Sequence, residues 1–242
     1  TNIGGTPVFL RSDINMEDLG SFTGAGLNLT VFNVREREKI LNGIKEVWAS
    51  PYTERSFKWR QQYLNNPENV FPSILIIPSV DVEYSGVMIT KGINNNNPDD
   101  LTVAFSRGAG GAVDGQSAEA WLLDLDGEDL LLSPARETFY NRLPANGGLD
   151  KKSTAFNTSI LNENNKEEIK ALAKNIRKTI PEKTEASNTG PYDVELGFLN
   201  NKLWLFQIRP FVENKNAKSS TYLQSISPEV DTQKSINLQS TI

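Results

Sequence analysis

The stretch Tyr192-Asp193-Val194-Glu195-Leu196-Gly197-Phe198-Leu199-Asn200-Asn201-Lys202-Leu203-Trp204-Leu205-Phe206-Gln207-Ile208-Arg209-Pro210 decides how this chain is read. Two strand-type runs flank Asn200-Asn201, and asparagine tolerates the left-handed backbone that a tight hairpin turn needs. Val194, Leu196, Phe198, Trp204, Phe206 and Ile208 are apolar and even-numbered; Asp193, Glu195, Gln207 and Arg209 are polar and odd-numbered. Side chains alternate between faces along a strand, and directly paired residues share a face. Pairing even with even predicts an odd loop, Asn200-Asn201-Lys202, with Leu199 opposite Leu203, Glu195 opposite Gln207 and Asp193 opposite Arg209. A two-residue turn instead sets Glu195 against Phe206 and mixes the faces. One face is therefore core. The other gathers two carboxylates, an amide and a guanidinium, which suits either a solvated face with a weak cross-strand ion pair or a metal-phosphate site.

The chain has 242 residues, room for one large or two modest domains with a real core, and 38% of them are hydrophobic. No stretch is long and apolar enough to cross a bilayer and no secretion signal is evident, so a cytoplasmic protein without a membrane partner is expected. The first residue is Thr, so the sequence is expected to be processed or cut from something longer. A formal net charge of −5 argues against a nucleic-acid partner but not against a nucleotide, which needs only a local positive pocket. The chain contains no Cys and no His. Disulfides, thiolate metal sites, thiol or imidazole catalysis and a phosphohistidine on this chain are thereby excluded.

In chain order, Val8-Phe9-Leu10 predicts a short strand ending at Arg11, and residues 11–27 a loop with the cation, hydroxyls and glycines of a phosphate-contacting segment. Residues 35–64 predict helix. Ile40, Ile44, Val47 and Trp48 form one stripe, and the helix breaks at Pro51, with Ser50 as N-cap of a second piece that Phe57, Trp59, Tyr63 and Leu64 fill out. Arg55 and Arg60 lie on that second piece. Ile74-Leu75-Ile76-Ile77 predicts a buried strand; Tyr84–Thr90, Leu101–Ser106, Ala118–Leu125 and Asp129–Leu132 predict further strands. The Gly-rich loop after Arg107 lacks the Gly-Lys-Ser/Thr of a P-loop. Residues 134–160 read as irregular, Asn165–Thr179 as a helix stopped by Pro181, and 213–242 as a polar linker or tail unable to bury a core.

Three separated stretches then carry a resemblance. Arg11-Ser12-Asp13 through Glu17-Asp18-Leu19 and Phe22-Thr23-Gly24 resembles the Arg-Ser-Ser…Glu-Asp…Phe-Ala-Gly motif of the nucleotide-binding domain of pyruvate phosphate dikinases and phosphoenolpyruvate synthases. Ile44-Lys45-Glu46-Val47-Trp48-Ala49-Ser50 with Arg55 is similar to a helix of that family. Asp193-Val194-Glu195 with Gln207-Ile208-Arg209-Pro210 resembles its Asp-Ile-Glu…Leu-Gln-Ala-Arg-Pro signature.

The resemblance spans about residues 5–211 and implies one domain, 1–212, lacking the N-terminal part of its lobe. It implies an α+β, ATP-grasp-like fold of mainly antiparallel sheets with flanking helices, binding ATP and Mg²⁺. By that likeness, Arg11 and Arg55 hold phosphate oxygens, Glu195 and Gln207 bind Mg²⁺-ATP with Glu195 and Gln207 as metal ligands, and Arg209 steadies the transferring phosphates as a catalytic residue beside Arg11 and Arg55. The phosphoryl group passes to a histidine on a domain outside this chain, and the fragment alone is expected to be inactive. Two features depart from the family: Gly111 stands where it carries Glu, with Asp114 nearby, and Leu75-Ile76-Ile77-Pro78 lacks its Gln. These departures suggest the alternative of a non-catalytic nucleotide sensor or interaction domain, and Arg11-Ser12-Asp13 suggests a glucan, water dikinase type.

Overall fold

A computed structural model describes residues 5–16, 18–19, 22–23, 26–111, 117–125, 127–155, 158–183 and 190–211. Thr1–Val212 make one compact unit. The expected linker, 213–242, lies outside the described residues, as does Asp114. The described elements run β1 (Val8–Ile14), β2 (Asp18–Leu19), β3 (Phe22–Thr23), β4 (Thr30–Val34), α1 (Arg37–Ala49), a 3₁₀ turn (Ser50–Tyr52), α2 (Glu54–Tyr63) and β5 (Pro72–Pro78). They continue with β6 (Tyr84–Ile89), β7 (Leu101–Arg107), β8 (Glu119–Leu123), β9 (Leu130–Ser133), β10 (Phe139–Arg142), β11 (Asp150–Ser153), α3 (Glu163–Lys183), β12 (Tyr192–Leu199) and β13 (Lys202–Pro210). The fold is α+β, and the strand pairings are antiparallel.

A six-stranded sheet, ordered β13-β12-β6-β7-β8-β9, holds the main core on one face. Tyr192, Val194, Leu196 and Phe198 alternate inward from β12 and meet Met88, Val103 and Phe105. Helix α3 covers them with Ile169, Ala173 and Ile176, spaced so that one stripe faces the sheet. Gly86 permits this packing, because a Cβ there would lie 2.2 Å from the Ala104 carbonyl oxygen and 2.7 Å from the Phe105 ring. A smaller sheet, β4-β1-β5, buries Val8 and Leu10 against Val47 of α1. Its other face carries Phe9, Arg11, Thr30, Phe32 and Ile77, which border a cavity shared with the larger sheet.

Several expectations are corrected. Strand β1 continues through Arg11 to Ile14, because β5 pairs with it residue by residue from Val8 to Ile14. The Ile74–Ile77 run is a strand but not a buried one: β5 is an edge, and Leu75 is 51% and Ile76 40% exposed. Residues 139–153 contain the β10-β11 hairpin, which lacks an apolar face to announce it. The second helix is capped by Thr53, whose Oγ1 accepts from the Ser56 amide at 3.4 Å. Ser50 is unavailable as a cap, since its hydroxyl donates to the Val47 carbonyl at 2.8 Å and accepts from the Leu29 amide at 3.1 Å. Phe57, Trp59 and Tyr63, the bulk of α2, are exposed, and α3 runs past Pro181 to Lys183.

Candidate functional site

The hairpin β12-β13 sets the site. At its open end the register is as read: Asp193 lies opposite Arg209 and Glu195 opposite Gln207. At the closed end it differs. Asn200 and Asn201 both have positive φ, 53° and 57°, which makes a two-residue type I′ turn with Leu199 opposite Lys202 and Phe198 opposite Leu203. The one-residue conflict between turn and faces is absorbed by a β-bulge between Glu195 and Leu196, where β13 carries Phe206 as an extra residue. The bulge redirects side chains. Phe206 joins the cavity wall and Trp204 becomes exposed, so neither shares the core face expected for even positions, whereas Ile208 does pack against the core.

Strand β1 brings Arg11 to this face. Arg11 Nη1 donates to Glu195 Oε2 at 3.1 Å, and Nη2 donates to Gln207 Oε1. The three residues belong to three strands and two sheets. Two positions further along the hairpin, Arg209 Nε and Nη2 donate to Asp193 Oδ2 at 2.8 and 2.7 Å. Two residues of strand span ~7 Å, so the two guanidinium-carboxylate pairs are neighbours on one ribbon. Arg55 is not gathered with them: it is exposed on α2 and is not part of the cavity lining.

The cavity has a volume of about 120 Å³. Arg11 and Glu195 stand at its edge; Phe9 and Phe32, edge to face with centroids 5.3 Å apart, and Phe206 supply apolar walls. Small-molecule pockets commonly enclose roughly 300–1,000 Å³. The cavity therefore matches one part of a nucleotide rather than the whole.

The Gly-rich loop after β7 forms another wall through Ala109 and Gly110. Gly108 is required there: its φ is +70°, and a Cβ would lie 2.1 Å from the Asn141 carbonyl oxygen. Three successive amides are already committed. Gly108 donates to the Glu83 carbonyl at 2.7 Å, Ala109 to the Asn141 carbonyl at 3.0 Å, and Gly110 to Ser85 Oγ at 3.1 Å. Ser85 returns a bond to the Gly108 carbonyl at 2.8 Å. Ser85, Phe9, Phe32 and Phe206 were not singled out as site residues from the sequence. Phe9 and Phe206 read there as ordinary strand residues, Phe32 lies on β4, a strand the sequence reading lacks, and Phe206 reaches the cavity only through the bulge.

The family model for the pyruvate phosphate dikinase AMP/ATP-binding domain matches residues 2–229. The chain belongs to this family. Among relatives of this dikinase-type domain, the rifampicin phosphotransferase of Bacillus cereus is 27% identical over 83% of the chain and 23% of its own length. A probable phosphoenolpyruvate synthase of Methanothermobacter thermautotrophicus is 26% identical over 90% of the chain and 31% of its own length. The uncharacterized phosphotransferase YvkC of Bacillus subtilis is 25% identical over 84% of the chain and 24% of its own length. The chain thus spans about a quarter of the length of the curated relatives it matches. Among the described residues, no helix of the domain is long and apolar enough to cross a membrane.

Proposed function

We propose that this domain is an ATP-grasp module that binds Mg²⁺-ATP for a dikinase-like phosphotransferase. In this reading Glu195 and Gln207 hold the metal-nucleotide complex, and Arg11 and Arg209 neutralise the phosphates; Arg55, exposed on α2, takes no part in it. The phosphoryl group leaves for a histidine carried elsewhere, since this chain has none. The observation that carries the reading is the convergence of Arg11 with Glu195 and Gln207, of which Arg11 and Glu195 line the cavity.

The donor set fits the metal. A carboxylate and an amide oxygen are the ligands Mg²⁺ accepts, with phosphate and water completing its shell. Both oxygens already meet one cationic group, the Arg11 guanidinium. Bound there, the metal would supply charge neutralisation between the phosphates. Phosphoryl transfer depends chiefly on such positioning and electrostatic stabilisation. The guanidinium of Arg209 is preoriented by Asp193, so little rotamer freedom is left to lose when phosphate arrives. Calorimetric titration with Mg²⁺-ATP tests the reading. Binding by the unsubstituted chain that is lost in Arg209→Ala supports it, and binding untouched by that change rejects the assignment.

A second reading, nucleotide binding without transfer, is favoured by the committed amides of Gly108, Ala109 and Gly110 and by Gly111. A loop whose donors are spent offers little to a developing phosphate charge. Phosphorylation of a histidine-bearing partner by labelled ATP separates the two readings. Transfer supports the first, and binding without transfer supports the second.

A further inference from the structure

The two oxygens assigned above to a metal are both occupied by a cation of the chain itself. Arg11 Nη1 lies 3.1 Å from Glu195 Oε2, and Nη2 donates to Gln207 Oε1. The side chains of Arg11 and Glu195 are 22% and 18% exposed, so solvent and salt screen this contact less than a surface pair. A guanidinium and a divalent cation cannot share these acceptors, because like charges a few ångströms apart in a partly desolvated site repel strongly. Phosphate offers the planar guanidinium a bidentate partner with more negative charge than Glu195 and Gln207 provide together. The other guanidinium on this face, that of Arg209, is held by Asp193 at 2.7 and 2.8 Å.

We propose that Arg11 is a switch residue that fills the metal seat on Glu195 and Gln207 in the empty domain and leaves it only when nucleotide phosphate takes its guanidinium. The seat is electrically balanced while Arg11 occupies it, one carboxylate against one guanidinium. Once Arg11 turns to phosphate, the seat regains a negative charge and two free oxygens. Metal alone is then disfavoured, and metal and nucleotide reinforce one another through a single side chain, reciprocally as linkage requires. The proposal rests on reading this face as the nucleotide site, and Arg11 acts in it by positioning.

The test is titration of the 242-residue chain with Mn²⁺ alone, followed by electron paramagnetic resonance of the free ion. Arg11→Met is expected to bind Mn²⁺ about five-fold or more tightly than the unsubstituted chain, in the range of ordinary coupling between sites. Adding Glu195→Gln is expected to erase that gain. Arg11→Lys keeps a cation but reaches only one acceptor, so it is expected to shift affinity the same way by less. Circular dichroism identifies which variants are folded, and unchanged Mn²⁺ affinity in either folded Arg11 variant overturns the proposal. Titration with Mg²⁺-ATP separates this claim from the functional one. Tighter Mn²⁺ binding by Arg11→Met without any ATP binding by the unsubstituted chain leaves the seat standing but overturns its release by nucleotide, together with the functional reading. ATP binding with no Mn²⁺ gain overturns the switch alone.

Discussion

Arg209 donates twice to one carboxylate oxygen of Asp193, directly across the hairpin, at 2.8 and 2.7 Å. Both side chains are 16% exposed, so the pair is neither a free surface contact nor a buried one. Exposed pairs contribute ~0.2–1 kcal/mol, and hydrogen bonds to charged groups ~1.5–3 kcal/mol. A double-mutant cycle with Asp193→Ala and Arg209→Ala, read by urea denaturation, is therefore expected to give a coupling energy of about 1 kcal/mol. Asp193→Asn is expected to remain folded and to weaken Mg²⁺-ATP binding, because Arg209 loses the partner that orients it. Unchanged affinity in that variant would show that the orientation is immaterial.

The turn supplies a second prediction. Asn200 and Asn201 both adopt the left-handed conformation. Asn201→Gly is expected to stabilise the fold by a few tenths to about 1 kcal/mol, since glycine adopts that conformation without steric cost. Asn200→Val is expected to destabilise it by about 1–2 kcal/mol, the usual penalty for a bulky residue there. Urea midpoints of the two variants should move in opposite directions. A common direction contradicts a type I′ turn.

A third prediction concerns alkaline pH. Asp129 is shared by two buried lysines of α3, with Lys166 Nζ 3.3 Å from Oδ2 and Lys170 Nζ 3.0 Å from Oδ1. Burial pulls both ammonium pKa values down, but contacts to Asp129, Glu163 and Glu167 outweigh it, and each ends above its ordinary 10.5. A folded-state value above the unfolded one adds stability that is fully present below the unfolded pKa and lost as pH rises through the folded one. Urea midpoints should accordingly hold between pH 7 and 9 and fall above about 10.5. Asp129→Asn should cost about 3 kcal/mol near neutrality by leaving the two buried ammonium groups with only their exposed partners Glu163 and Glu167, and should flatten the alkaline fall. A fall of equal size in that variant assigns the pH dependence elsewhere.

Much of the site was legible because β12 is half-buried. Tyr192, Val194, Leu196 and Phe198 face a core that tolerates no slip, so alternation set odd positions against odd; the expected three-residue loop then gave the Glu195–Gln207 and Asp193–Arg209 pairings, which hold although that loop does not. The bulge was not legible. A two-residue Asn-Asn turn and matched faces are each favourable and mutually incompatible, and nothing local says which gives way; an extra residue at Phe206 satisfies both. Alternation likewise could not place β5, because an apolar run reads alike in a central strand and at an edge. The meeting of Arg11 with Glu195, 184 positions apart, depends on how two sheets stack. Only the family likeness placed both residues in one site beforehand.

The most direct measurement is a crystal structure of the chain with Mg²⁺ and a non-hydrolysable ATP analogue. Phosphate oxygens are expected on the Arg11 and Arg209 guanidiniums, with a metal ion bound by Glu195 and Gln207. Nucleotide bound away from the β12-β13 face, with Arg11 still paired to Glu195 and Gln207, would contradict it.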